Sequence, residues 1–328
     1  MDRRVRDISV VVPVYRSEAS LPALAAAVDK ALNAAKLSYE LILVSDGSPD
    51  RSWLVIKQLA TRYPTVVGLC HRRNFGQDNA ILTGLRRASG RAVVIMDDDL
   101  QHSPDDIPKL YEQMNRSGAD VVYAHFVEKK QKAWKRFGSW INGKFAQWLI
   151  DKPPNIYMSP FKIARKEVAD LIAAFDGPFP YVDSLLFQVT DRFSFIQTEH
   201  HPRLAGPSTY TFAKSLSVWS RLAFSFSVKP LRLVSWTGIA ALVISFVAVL
   251  MIVIARVSYP DEFGNSAAGW ASLMVLLLVI GGLQMLFLGI LGEYAGRTHI
   301  NINRKPQSVV AETTDDQQNQ VQQVTMGR

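Results

Sequence analysis

Four short runs of β-branched and aliphatic residues alternate with amphipathic stretches over the first third of the chain. The apolar runs lie at residues 8–14, 41–44, 66–69 and 92–96. Because these runs are apolar at nearly every position, they predict strands that are buried on both faces of a parallel sheet. The stretches between them predict helices at about 21–35, 52–63 and 78–88, and residues 103–106 predict the start of a fourth. The alternation predicts a Rossmann-type α/β sheet, with ligands at the carboxyl ends of its strands.

Two long apolar runs in the last third predict a membrane hairpin. Residues 231–255 carry one charge, at the edge of the run, and residues 267–292 carry none. Each run is about the 20 residues that a helix needs to cross a bilayer. Basic residues flank the pair on its outer sides, at Lys229, Arg232, Arg297, Arg304 and Lys305. By the positive-inside rule both ends face the cytoplasm. Two buried helices of a soluble core are the alternative, but runs this long and uncharged are rare there.

Aromatic residues at helical spacing occur in two further segments, 133–150 and 216–228, with basic residues nearby. This pattern predicts amphipathic helices that lie in the membrane interface. Ordinary amphipathic core helices are the alternative. The polar tail is expected to be disordered from about residue 311. The predicted organisation is an α/β core at 1–125, a second part with the aromatic segments at 126–230, two transmembrane helices at 231–296 and a cytoplasmic tail at 297–328.

Composition narrows the setting of these segments. The 328 residues include 37 Lys and Arg against 29 Asp and Glu, which gives a formal net charge of +8. The basic residues cluster near the hairpin and the aromatic segments, which favours an anionic lipid bilayer as the partner rather than a nucleic acid. A single cysteine excludes an intrachain disulfide, and the charged first residues do not resemble a signal peptide. We therefore expect a cytoplasmic globular part, either as a monomer or as a homo-oligomer.

Three consecutive aspartates, Asp97, Asp98 and Asp99, directly follow the fourth apolar run. Carboxylates grouped at the end of a strand repel one another unless a cation lies among them. Asp97 and Asp99 can both point toward one hard divalent ion, and Mg²⁺ prefers one or two carboxylates together with phosphate oxygens. A solvated acidic loop that caps the next helix is the alternative.

The loops after the other three runs supply further groups that suit a nucleotide. Residues 13–18 include an aromatic ring, residues 46–48 form an Asp-Gly-Ser turn, and residues 72–77 carry two arginines. A ring can stack on a base, an aspartate can accept hydrogen bonds from a ribose, and cations can meet phosphate. An ordinary turn and plain surface charge are the alternatives. The chain lacks the glycine fingerprint of dinucleotide enzymes and the Walker phosphate loop, which disfavours a hydride-transfer enzyme and an ATPase.

The motifs taken together resemble the family 2 glycosyltransferases of the GT-A fold that act on polyprenyl phosphate. The motifs are Val-Val-Val-Pro-Val-Tyr at 10–15, Asp-Gly-Ser at 46–48, Arg-Asn-Phe-Gly-Gln at 73–77, Asp-Asp-Asp-Leu-Gln at 97–101 and Leu-Gly-Glu-Tyr-Ala-Gly-Arg at 291–297. The chain is similar to bacterial undecaprenyl-phosphate sugar transferases of the formamido-arabinose and bactoprenol glucosyl types, and more distantly to dolichyl-phosphate mannose synthase. The likeness covers roughly residues 7–306.

The resemblance implies roles for individual residues. The residues implied to bind the nucleotide are Pro13, Tyr15, Glu18, Asp46, Arg73 and Asp98. The metal, Mg²⁺ or Mn²⁺, is expected on Asp97, Asp99 and Gln101, and Arg203 is expected to contact the donor diphosphate as the third catalytic residue beside Asp97 and Asp99. The candidate contacts to the acceptor phosphate are His125, Lys135, Arg136 and Ser139. For Lys135 and Arg136, plain contacts to anionic lipid are the alternative. The chain departs from the family pattern at Thr209, His125 and Ile300-Asn301.

The function implied is inverting transfer of one sugar from a nucleotide-diphosphate sugar, a UDP-sugar, to undecaprenyl phosphate. The expected location is the bacterial inner membrane, with several spans and with the catalytic domain and both termini in the cytoplasm. A processive polysaccharide synthase is disfavoured, because the chain lacks a Gln-x-x-Arg-Trp motif and a longer bundle of membrane helices. A membrane-anchored nucleotide-sugar or lipid-binding protein without catalytic activity is the remaining alternative.

Overall fold

The computed structural model describes residues 6–126, 156, 158–177, 179–198, 229–258, 269–303 and 306–315. The chain divides into two compact units, one formed by residues 1–210 with 304–328 and the other by residues 211–303. The first unit carries a sheet with helices around it, and the described part of the second consists of two long helices.

The described residues of the first unit form one eight-stranded mixed sheet with the order β7-β5-β6-β4-β1-β2-β3-β8. Its strands are β1 (Ile8–Val14), β2 (Tyr39–Ser45), β3 (Val66–His71), β4 (Ala92–Ile95), β5 (Val121–Phe126), β6 (Lys162–Arg165), β7 (Phe193–Thr198) and β8 (Val310–Thr313). Strands β1 to β4 are parallel to one another. The four strands predicted from the apolar runs are therefore confirmed, and every residue of β1, β2 and β4 is buried.

Six shorter helices accompany the sheet in the described part of this unit. They are α1 (Leu21–Ala34), α2 (Ser52–Arg62), α3 (Gln77–Arg87), α4 (Ile107–Ser117), α5 (Lys166–Ala173) and α6 (Val182–Val189). A 3₁₀ turn at Pro104–Asp106 precedes α4, and the Ser103 hydroxyl accepts a hydrogen bond from the Asp105 backbone N–H there. The three helices predicted between the strands and the fourth predicted after them are confirmed. Helix α1 shows why they form, since its buried face carries Leu21, Leu24 and Leu32.

The sheet is mixed rather than wholly parallel, because β6 pairs antiparallel with both β4 and β5. Its sequence, Lys-Ile-Ala-Arg, is only 4 residues long and charged at both ends. Such a segment gives little periodicity to predict a strand from. Two successive antiparallel pairings leave β5 parallel to β4, so the carboxyl ends of these two strands lie at the same edge of the sheet.

The expectation of disorder from about residue 311 is wrong for residues 311–315. Strand β8 pairs antiparallel with the edge strand β3, with Leu69 opposite Thr313 and Cys70 opposite Glu312. An unpaired edge strand offers a row of backbone donors and acceptors, and this pairing satisfies them although the segment is polar. The Thr314 side chain is buried. The residues after 315 lie outside the described part.

The second unit contains α7 (Lys229–Ser258) and α8 (Gly269–Ile302), at the positions where the sequence predicts the hairpin helices. By length and composition alone, one helix among the described residues could cross a bilayer, at Val279–Ile302. The predicted interfacial helices at 133–150 and 216–228 lie outside the described residues, as does the link at 259–268.

Candidate active site

A cavity of about 460 Å³ opens at the carboxyl ends of β1, β2 and β4. Its wall comes from the loops that follow these strands and from the loop that follows β3. The lining residues are Pro13, Val14, Tyr15, Asp46, Asn74, Gly76, Gln77, Asp97, Asp98 and Asp99. Parallel strands bring their carboxyl ends to one edge, which explains why segments so distant in sequence meet here. The structure thus brings together six of the predicted nucleotide and metal residues, which the sequence places at the ends of three separate strands: Pro13, Tyr15, Asp46, Asp97, Asp98 and Asp99.

The three aspartates after β4 have different partners. Asp97 accepts a hydrogen bond from Gln77 Nε2 at 2.8 Å. Asp98 accepts from the Ser17 hydroxyl and, at 3.3 Å, from the Tyr15 backbone N–H. Burial raises the pKa of Asp98 above its usual range, and these hydrogen bonds offset the rise only in part. Asp98 therefore fixes the loop after β1, which carries the aromatic ring.

Asp99 closes a short turn within the same acidic segment. Its Oδ1 accepts from the Gln101 backbone N–H at 3.1 Å. Between them Leu100 adopts a φ of 57°, in the left-handed region that non-glycine residues seldom occupy. A non-glycine residue keeps a positive φ only where the surrounding structure holds it there, and such residues are frequent at binding sites. The expected metal contact from the Gln101 side chain stays a prediction.

Asp46 is an anchor for the loop that follows β3. Its Oδ1 accepts from His71 Nδ1 at 2.9 Å and from the Phe75 backbone N–H at 2.8 Å, while its Oδ2 accepts from the Gly76 backbone N–H at 2.8 Å. Burial alone would raise the pKa of Asp46, but these hydrogen bonds outweigh it and hold the pKa below its ordinary value. The carboxylate borders the cavity with only 3% of the residue exposed.

Gly47 allows the loops after β2 and β3 to touch. It has a φ of 59°, and an added Cβ would lie 2.3 Å from the backbone carbon of Arg73. Only glycine meets both requirements at no cost. The Asp-Gly-Ser sequence is therefore more than an ordinary surface turn. Its aspartate accepts hydrogen bonds from the loop after β3, and its glycine allows the backbone of that loop to come close.

Two predicted nucleotide residues, Glu18 and Arg73, lie outside the cavity lining as far as the described residues define it. Glu18 Oε2 accepts from the Arg51 backbone N–H at 2.9 Å, at the start of α2. A carboxylate is favoured there because the first turn of a helix has unpaired N–H groups. The guanidinium of the exposed Arg73 stacks 4.7 Å above the Phe75 ring. Direct contact of either side chain with a nucleotide stays a prediction.

The candidate acceptor residues are mostly outside the described part of the chain. This holds for Lys135, Arg136 and Ser139, and also for the candidate diphosphate contact Arg203. His125 is described: it lies near the carboxyl end of β5, with its ring 6.1 Å from the Phe195 ring. Strand β6 separates β5 from β4, so His125 lies on the cavity's edge of the sheet but beyond the cavity lining.

In the loop after β3, the residues that line the cavity are Asn74, Gly76 and Gln77, whereas Arg73 lies outside this lining and its contact with the nucleotide stays a prediction. Sequence reasoning missed His71, which is 2% exposed and holds Asp46. A polar residue at the end of an otherwise apolar strand was the available signal.

The residues at the cavity suit a hard divalent cation. Asp97 and Asp99 bring carboxylate oxygens to the wall, and such oxygens are the ligands that Mg²⁺ and Mn²⁺ take. Within the described ranges, no group of three or more His, Cys, Asp or Glu side chains could hold a metal ion on its own. The donor set therefore fits an ion that shares its coordination shell with phosphate oxygens and water. It does not fit a closed protein cage.

The mixed sheet with an acidic cavity at its carboxyl edge defines a GT-A-like fold. A solved structure with this fold is glucosyl-3-phosphoglycerate synthase from Mycobacterium tuberculosis in complex with uridine-diphosphate. The two chains share 20% sequence identity with a TM-score of 0.50, over 68% of this chain and 79% of the other. At this identity the likeness establishes the fold alone.

The chain belongs to glycosyl transferase family 2, whose profile matches residues 9–172. Pseudomonas aeruginosa undecaprenyl-phosphate 4-deoxy-4-formamido-L-arabinose transferase is 30% identical over 300 residues, which cover 91% of this chain and 88% of the relative. The prophage bactoprenol glucosyl transferase homolog of Escherichia coli is 29% identical over 311 residues, which cover 92% and 98%. The family resemblance drawn from the motifs is confirmed, and with it the assignment as a glycosyltransferase.

Proposed function

We propose that this protein transfers a single sugar from a nucleotide-diphosphate sugar, a UDP-sugar, to undecaprenyl phosphate at the cytoplasmic face of the bacterial inner membrane. Relatives that cover nearly the whole chain are named for transfer to undecaprenyl phosphate or bactoprenol. The observation that carries the proposal is the cavity, because one space is bordered both by an aromatic ring and by consecutive carboxylates.

The cavity offers what a nucleoside diphosphate needs. The Tyr15 ring is 44% exposed and can stack on a base. Asn74 and Gln77 add amide groups to the wall, and these can donate to and accept from a ribose or a base. The loops that present them are fixed before any ligand arrives, by Asp98 on one side and by Asp46 on the other. Such preorganisation lowers the entropy cost of binding.

Asp97, Asp99 and Gln101 would hold Mg²⁺ or Mn²⁺. The ion, when bound, neutralises charge on the leaving diphosphate. The Gln77 amide donates a hydrogen bond to the Asp97 carboxylate, and the Asp99 carboxylate is fixed by its bond from the Gln101 backbone N–H. Arg203 would add a guanidinium to the same phosphates.

The acceptor is a phosphate that is already ionised near neutral pH, so it needs little help from a general base. The chain's task is then to position it and to compensate its charge. His125, Lys135, Arg136 and Ser139 are the candidates for this contact. Single displacement by the acceptor oxygen inverts the anomeric centre.

The membrane setting is part of the proposal. Helices α7 and α8 would form a transmembrane hairpin with both termini in the cytoplasm, and segments 133–150 and 216–228 would lie in the headgroup region. A lipid-linked acceptor requires such a placement, because its phosphate stays at the bilayer surface.

The test is a turnover assay with the full-length protein in detergent or nanodiscs. A panel of radiolabelled nucleotide sugars is offered with undecaprenyl phosphate and Mg²⁺ or Mn²⁺, and label is followed into the organic phase. One UDP-sugar should give a lipid product that carries one sugar. Binding of a UDP-sugar without transfer, under all conditions, would instead favour the non-catalytic binding protein. Products with several sugars would favour the polysaccharide synthase.

A further inference from the structure

A buried chain of side chains runs from the cavity to the C-terminal end of the described residues. His71 Nδ1 lies 2.9 Å from Asp46 Oδ1, and the opposite ring nitrogen lies 3.0 Å from Thr83 Oγ1. Thr83 Oγ1 lies in turn 2.9 Å from Ser308 Oγ. His71 and Thr83 are buried, at 2% and 7% exposure. The chain thus links β2, β3 and α3 with a residue that follows both long helices in sequence.

Ser308 belongs to a segment, residues 306–315, that we name the C-terminal strap. The Val309 carbonyl oxygen of the strap accepts a hydrogen bond from the Arg72 N–H at 2.9 Å, and strand β8 of the strap pairs with β3. Thr314 Oγ1 accepts a hydrogen bond from the Gly68 N–H at 2.8 Å. A Cβ added to Gly68 would lie only 2.9 Å from Thr314 Cγ2. The core is therefore shaped to receive the strap.

The strap also holds α3, whose first residue borders the cavity. Arg86 Nη2 donates to Gln307 Oε1 at 2.6 Å, and Arg87 Nη2 lies 2.7 Å from Asp315 Oδ2. Both arginines are in the last turn of α3, whereas Thr83 lies one turn earlier. Of these contacts, only the one at Ser308 continues through buried polar atoms to Asp46.

We propose that His71 is a positioning residue, and that with Thr83 and Ser308 it couples the C-terminal strap to the donor-binding loop at residues 72–77. An ionised carboxylate can only accept hydrogen bonds, so the His71 Nδ1–H donates to Asp46 and sets the orientation of that carboxylate. The other acceptor sites of Asp46 hold the N–H groups of Phe75 and Gly76. A shift of the imidazole therefore moves the loop.

The geometry of the relay stands on contacts alone, but its effect on the donor rests on the proposed function. The relay gives the strap a task beyond covering an edge strand: the site is complete only when the chain after α8 has returned to the sheet. A protein whose strap is displaced would keep its acidic segment and lose the fixed loop opposite it.

The experiment compares two variants of the relay with two matched controls in the full-length protein. Thr83→Val removes the hydroxyl at the centre of the relay, and Ser308→Ala removes its far end. Thr61→Val is the control for the first. The Thr83 hydroxyl also donates to the Asn79 carbonyl four residues earlier, and the exposed Thr61 makes the corresponding bond to the Lys57 carbonyl on α2. Asp315→Asn is the control for the second, since it weakens the strap away from the relay.

Two measurements decide the proposal: the affinity for UDP in the presence of Mg²⁺, and amide hydrogen exchange of a peptide covering residues 72–77. We expect each relay variant to weaken UDP binding about fivefold, the effect of one hydrogen bond. Exchange of the loop should speed up by a similar factor. Thr83→Ser should restore both, and the two controls should stay near wild type.

Equal effects in Asp315→Asn and Ser308→Ala would overturn the proposal, because the strap would then act only as a general anchor. Loop exchange that is unchanged in both relay variants would overturn it as well. If Thr83→Val does not fold, Ser308→Ala and its control still decide. If the wild type binds no UDP, the donor assignment fails, while loop exchange still tests the relay.

Discussion

Strands β2 and β4 both end in aspartates at the same edge of the sheet, yet their carboxylates have different surroundings. Asp46, after β2, is buried and accepts two backbone N–H groups and the His71 ring nitrogen. Asp97 and Asp99, after β4, are half-buried on the cavity wall. A carboxylate surrounded by backbone donors organises its own chain, whereas carboxylates grouped on a cavity wall suit a cation. The residue type alone does not distinguish the two roles.

The largest effect is expected from Asp97→Asn and Asp99→Asn. Either change removes a negative charge that the proposed divalent ion requires, so turnover should fall at least about a hundredfold. The fold should survive, because an asparagine oxygen at position 97 can still accept from Gln77. The check is sugar transfer at saturating metal together with the thermal unfolding midpoint.

Asp191→Asn is the control for this pair, since Asp191 is an exposed carboxylate outside the cavity lining. It should transfer sugar at the wild-type rate. Full activity of both site variants, with EDTA equally harmless to the wild type, would contradict the difference drawn between the two strands.

Asp46→Asn should mainly affect the structure. In the wild type, the backbone N–H groups of Phe75 and Gly76 donate to the Asp46 carboxylate. The asparagine NH₂ group cannot accept a hydrogen bond, so one of these buried donors would lose its partner. The cost is about 3 kcal/mol, equivalent to a fall of roughly 5 to 10 °C in the unfolding midpoint. UDP binding should weaken as the loop at 72–77 loosens. An unchanged midpoint with a large loss of binding would make Asp46 a ligand-contacting residue like those after β4.

Gly47→Ala tests the same loop without touching a charge. Alanine would have to adopt the left-handed φ of 59° and move the backbone of Arg73. We expect the unfolding midpoint to fall by about 3 to 6 °C and UDP affinity to weaken a few-fold. Ser48→Ala, in the same turn, removes a bond from the Arg16 N–H and should cost less. Equal effects of the two changes would show that the close approach at Gly47 has no special weight.

The sequence predicts the central strands and the acidic segment well, because both depend on local patterns. The run at 92–96 followed by three aspartates needs no tertiary information to be recognised as a strand that ends in a site. The roles of Glu18 and Arg73 depend on which loops pack together. Glu18 meets the start of α2, and Arg73 stacks on Phe75, and neither pairing has a local signal.

The C-terminal strap shows a second limit of sequence reasoning. Its polar composition indicates disorder, and its stability comes from an edge strand more than two hundred residues earlier in the chain. The β-branched valines and threonines in residues 309–314, Val-Val-Ala-Glu-Thr-Thr, are a weak strand signal that composition outweighs. Strand β6 was missed for the same reason, since its partner strands, β4 and β5, lie far from it in the sequence.

The smallest effect is expected at Asp78, a half-buried residue whose carboxyl has fewer hydrogen-bond donors among the described residues than that of Asp46. One backbone N–H, from Val182, donates to it at 3.0 Å, and it lies near the ion pair of Lys162 with Asp183. Burial raises the pKa of Asp78 to about 6, and this hydrogen bond and Lys162 offset only part of the rise. The pKa values of Asp46 and Asp78 thus move in opposite directions, because Asp46 has more hydrogen-bond donors and Asp78 also lies near the Asp183 carboxylate.

The raised pKa gives Asp78→Asn a defined pH dependence. The protonated carboxyl is favoured in the folded state, so its contribution to stability is complete below about pH 4 and is lost as the pH rises through about 6. Asparagine keeps the acceptor for Val182 and never ionises. The midpoint of the variant minus that of the wild type should therefore increase by about 2 to 5 °C between pH 5 and pH 8. Asp105→Asn, at an exposed position, should show no such change. A difference that is equal at both pH values would mean that the Asp78 carboxylate is compensated as fully as that of Asp46.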